Sequence, residues 1–151
     1  MTRNINVWLL AVGIGSALAA LLHLAVILGG ADWYRWLGAG EPMARAAARG
    51  ALFPALITVA IASVCAVWAL YAFAGAGLLR RLPLMRLVLV LISLGLLGRG
   101  LAILAPEAWR PDLTYTFKLW SSLAVLALAA CFALGTWQAW PSLSAPKASG
   151  T

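Results

Sequence analysis

Arg99 can never discharge, yet it lies inside an apolar run, Leu84 to Ala105. A guanidinium stays protonated in proteins, so that run carries a permanent cation into hydrocarbon unless something receives it. At about 1.5 Å per residue, Arg99 lies roughly 22 Å from Leu84, which places it in one outer third of a span and not at its midplane. The single histidine, His23, sits in a second apolar run, Val7 to Gly30. A guanidinium offers a fork of donors suited to a carboxylate or an anionic ligand, and an imidazole can donate, accept or take up a proton. Each also has a plainer explanation. Arg99 can snorkel to head groups or lock loops to the bundle, and His23 can bond a backbone carbonyl.

The elements that must position these residues follow from composition. The 151 residues are 64% hydrophobic and only 10% charged, with a mean hydropathy of +0.97, against about 25% charged for an ordinary soluble domain. Four runs are long enough to cross a bilayer: Val7 to Gly30, Ala51 to Gly75, Leu84 to Ala105 and Tyr115 to Gln138. In lipid, backbone groups must be satisfied within each span, which predicts an all-α membrane protein, a single four-helix transmembrane bundle over 1–151. A net charge of +7 has no water-soluble basic face to act through. It therefore implies membrane lipids as partners, and no nucleic acid.

The first run follows a basic start, as a signal peptide would. Its 24 residues exceed the about 7–15 of a signal core, so it is expected to be a retained helix. Ser16, Ala19, Ala20 and His23 share one small-residue face that should meet a neighbouring helix. Gly29-Gly30 should end the helix, and Asp32-Trp33-Tyr34-Arg35-Trp36 resembles interface sequence. Glu41-Pro42 predicts a short amphipathic helix in the first outer loop, with Glu41, Arg45 and Arg49 on one edge and a Glu41–Arg45 pair. Pro54 should kink or break the approach to the second span. Arg86 is expected to snorkel. On the third span Arg99 is flanked by Gly95 and Ala102, with Gly98 and Gly100 beside it. Cys65 and Cys131 are expected to be inert thiols, and 141–151 a disordered tail.

Alternating spans put both termini and the Arg80 loop on one side, and Asp32, Glu41, Glu107 and Asp112 on the other. Apart from Arg99 within its span, Lys and Arg divide five to five, but the dense Arg80, Arg81 and Arg86 cluster assigns its side, with both termini, to the cytoplasm of a bacterial inner membrane. His23 and Arg99 then lie at similar depth in the outer leaflet. The expected polar cluster comprises His23, Arg99, Glu41, Asp32, Arg45, Glu107 and Asp112. In it a carboxylate could drop onto Arg99, or Arg99 could hold an anion. One histidine among scattered acids lacks metal-ligand spacing, and neither a catalytic motif nor a cofactor motif is present.

Leu22-His23-Leu24, Gly29-Gly30 and Leu97-Gly98-Arg99-Gly100 resemble small bacterial four-span membrane proteins classed as domains of unknown function. Their first span carries a histidine and a double glycine, and their third an arginine. The resemblance implies the architecture and singles out His23 and Arg99, and it brings no activity with it. The expected function is a non-enzymatic accessory or ligand-binding bundle with a His/Arg site. One alternative is a subunit of a small transporter or permease, with a homo-oligomer or another membrane protein as partner. Another is a lipid- or quinone-modifying enzyme using Glu41 and His23 as acid and base.

Overall fold

A computed structural model of the chain describes residues 5–105, 109, 111 and 113–143. Among these residues the structure is all-helical and without strands: α1 (Val7–Trp36), α2 (Glu41–Ala48), α3 (Phe53–Gly75), α4 (Met85–Leu101) and α5 (Tyr115–Leu143), with a 3-10 turn at Ala102–Leu104 after α4. α1, α3, α4 with its 3-10 turn, and α5 are each long and apolar enough to cross a membrane. α2 is the short helix between the first two.

Two boundaries differ from expectation, at Gly30 and Pro141, while the break expected at Pro54 is present. The double glycine breaks α1 without ending it. Gly30 takes φ 68° and ψ −154°, a conformation that costs a side chain dearly, and helix resumes over 31–36. Pro54 falls in the first turn of α3, where a missing N–H costs nothing, so the chain breaks cleanly between α2 and α3. α5 runs through Pro141 to Leu143, although a proline there cannot donate the backbone bond to the preceding turn. The tail expected from 141 is thus helical to 143, and 144–151 lie outside the described residues.

α1 packs chiefly on α3, and α4 on α5, with α1 against α5 joining the two pairs. Where α1 begins, Asn6 caps it by accepting from the Leu9 N–H at 3.1 Å, and its amide donates to the Gly135 carbonyl of α5 at 2.9 Å. Leu9, Leu89, Met85 and Phe132 fill the core at this end. Arg86 also belongs here. It donates to the Trp140 carbonyl at 2.8 Å and its guanidinium lies 4.4 Å from that indole's centre, so it ties α4 to α5 and does more than snorkel.

A second, smaller core of Val26, Tyr34 and Ala44 sits at the opposite end. There the hydroxyl of Thr58 donates to the Pro54 carbonyl at 2.7 Å, so the Tyr34 hydroxyl must donate to Thr58 Oγ1 at 3.1 Å. That chain fastens the segment beyond the Gly30 break to α3. Gly38, at φ 77°, lies so close under Phe117 that a Cβ would meet the ring at 2.2 Å. The first loop is thereby seated on α5.

Candidate site in the outer cavity

His23 projects from α1 seven residues before the Gly30 break, and Arg99 from the last turn of α4. Residues from α1, α3, α4 and α5 and both loops at this end enclose a partly open cavity of about 500 Å³, and both His23 and Arg99 line it. That volume falls within the roughly 300–1,000 Å³ typical of small-molecule pockets. Tyr34, Thr58, Trp109 and Ser121 supply the other polar groups, while Leu22, Val26, Met43, Ile57 and Phe117 are among its apolar lining.

Arg99 is held by two neutral groups. Its Nη2 donates to Ser121 Oγ at 3.0 Å, and its guanidinium carbon lies 4.1 Å from the centre of the Trp109 ring. Trp109 is fixed in turn by its Nε1–H, which donates to the Ala102 carbonyl at 2.8 Å. Stacking on an indole contributes about 0.5–2 kcal/mol, but neither partner neutralises the charge. Among the described residues no carboxylate pairs with Arg99. The glycines around it differ in packing: Gly95 and Gly98 have open space where a Cβ would stand, and Gly100 meets a neighbour closely, Leu126 of α5.

His23 Nδ1 lies 2.7 Å from the Ala19 carbonyl one turn earlier. A carbonyl oxygen only accepts, so Nδ1 carries the proton, and in the neutral ring Nε2 keeps a free lone pair. The backbone bond therefore orients the imidazole without consuming it. Ser16 and Ala20 on the same face are buried.

The acidic residues gather elsewhere. Arg35 grips Glu41 with two donors, Nε to Oε2 at 2.9 Å and Nη2 to Oε1 at 3.3 Å, and Asp32 through Nη1 at 2.7 Å. The Glu41–Arg45 pair is longer, 3.9 Å. Asp32, Glu41 and Arg45 thus form an exposed cluster centred on Arg35, and none of them lines the cavity. The acid/base pairing of Glu41 with His23 is accordingly not assembled. Glu107 and Asp112 lie outside the described residues. Among the described residues no three His, Cys, Asp or Glu side chains gather as a metal site would require, and Cys65 and Cys131 are free thiols.

Spacing alone singles out neither Ser121 nor Trp109 as a partner of Arg99. Trp109 stands ten residues after Arg99, as Trp33 does after His23, yet the two are used differently. Trp109 stacks on the arginine, whereas Trp33 packs over Gly29, where a Cβ would meet its ring at 2.2 Å. No family model, curated protein or solved structure matches the chain.

Proposed function

We propose that this chain is a multi-pass protein of a bacterial inner membrane, a non-enzymatic bundle that binds an anionic group at Arg99 in its outer-leaflet cavity, with both termini in the cytoplasm. Insertion in a bilayer is supported by the surface. No more than 28% of each candidate span is buried within the chain, and large apolar side chains such as Leu28, Leu56 and Leu91 are exposed along them. Exposed Trp33, Trp36, Tyr115 and Trp120 cluster towards one end of the bundle, and Trp137 and Trp140 towards the other, as aromatic belts at two interfaces would. The orientation rests on the Arg80, Arg81 and Arg86 cluster, and the bacterial setting on the likeness of the His23 and Arg99 motifs.

One observation carries the binding role. A permanent cation lines a cavity of ligand size together with an imidazole, and neither of its two partners among the described residues carries a balancing charge. An oxyanion there would form charge-assisted hydrogen bonds with the guanidinium.

Thermal unfolding of the purified protein in an uncharged detergent, with and without a series of oxyanions, tests this. A ligand at about 100 times its Kd stabilises the folded state by about 2.7 kcal/mol. The expected result is that at least one oxyanion raises the Tm of the native protein and leaves that of Arg99→Gln unmoved. Equal responses from the two proteins across the series would contradict the proposal.

A further inference from the structure

We infer that the anion received at Arg99 is an amphipathic monoanion: one oxyanion group carried on an apolar body. This rests on the binding role proposed above and adds the class of ligand. Charge sets the first half of the inference. Arg99 is the one permanently charged side chain among the described residues lining the cavity, and Nδ1 of His23 is already engaged by the Ala19 carbonyl. One positive charge balances one negative charge. A dianion would keep one negative charge that no permanently charged side chain among the described lining residues balances.

The donors fit the same count. Arg99 uses one N–H on Ser121, and the Ser121 hydroxyl, having accepted that bond, has no acceptor for its own proton among the described residues. The rest of the guanidinium fork and the Ser121 O–H together suit the two oxygens of a carboxylate or of a phosphodiester. The walls set the second half. Leu22, Val26, Ile57, Leu113 and Phe117 contribute lining that a bare inorganic anion would leave uncovered, whereas a hydrocarbon body would bury it. The ligand class thus spans fatty carboxylates and phosphodiester lipids, which share this chemistry and differ in source.

The test measures equilibrium binding to the full chain in an uncharged detergent. The probes are palmitate, dihexanoyl-phosphatidylglycerol, acetate, inorganic phosphate, and dodecyl phosphate above its second ionisation. Native protein, Arg99→Gln and Ser121→Ala are compared, with circular dichroism confirming helix content. Palmitate, phosphatidylglycerol or both should bind the native protein, about tenfold or more weaker in Arg99→Gln and a few-fold weaker in Ser121→Ala. Which of the two binds identifies the source. Acetate or phosphate binding as tightly as the chain-bearing anions, and dependent on Arg99, would overturn the amphipathic class and leave the anion-binding role standing. Dodecyl phosphate binding tightest would overturn the monoanion. Binding independent of Arg99 for every probe would overturn both the class and the role. If Arg99→Gln loses its helix content, Ser121→Ala decides, and full retention of binding by that variant overturns the inference.

Discussion

Arg99 owes its position to neutral groups, an indole face and a hydroxyl, and that makes its removal informative. Had it been one half of a buried ion pair, deleting it would strand a carboxylate at a cost of about 3–5 kcal/mol. With no carboxylate on it among the described residues, Arg99→Leu forfeits a stack and a hydrogen bond and gains a lipid-compatible side chain. Thermal unfolding in detergent should therefore show Arg99→Leu within about 1 kcal/mol of the native protein, or more stable. A loss of several kcal/mol would reveal a charged partner. Arg99 and His23 were legible in the sequence because a cation or an imidazole in an apolar run stands out against its neighbours. Ser121 and Trp109 were not, since which residue of α5 faces Arg99 depends on how two helices are rotated against each other, and one-dimensional spacing does not record that.

At the scale of elements, the cavity depends on how the chain between α1 and α3 is folded back. Gly30 breaks α1, Tyr34 then bonds Thr58, and Gly38 passes beneath Phe117. Both Tyr34 (3% exposed) and Thr58 (4%) are buried, so this segment is anchored. Gly38→Ala adds a Cβ at a positive φ and against an aromatic ring, two penalties at one position. It should destabilise the protein by about 1–3 kcal/mol in detergent unfolding, and more if Phe117 cannot swing aside. An unchanged Tm would mean that the loop is not seated on α5. The double glycine signalled the break, but not the helix that resumes after it, because that turn is held by the bond of Tyr34 to Thr58 on α3. In the same way Glu41 and Arg45 suggested a pair by their spacing, and the shorter bonds went to Arg35, which lies six residues before Glu41 and outside α2.

For the whole molecule, hydropathy sufficed to predict the helical architecture, since each long apolar run became one helix and Glu41-Pro42 opened the short one. It could not predict that the polar residues at the end of the bundle where α1 finishes would divide in two. Asp32, Glu41 and Arg45 gather on an exposed arginine, and His23 and Arg99 gather in a cavity. That division depends on the loops, whose paths are set by contacts between helices distant in sequence. It also leaves a cation that is stacked and hydrogen-bonded but, among the described residues, not neutralised, and the proposed binding role depends on this. The most direct measurement is an experimental density map of the protein crystallised with a bromine-labelled alkyl carboxylate. The account predicts the guanidinium within the cavity, the carboxylate in hydrogen-bonding range of Arg99 and Ser121, and the bromine's anomalous peak along the apolar wall. A guanidinium directed out into the surrounding amphiphile, with the bromine bound elsewhere, would contradict it.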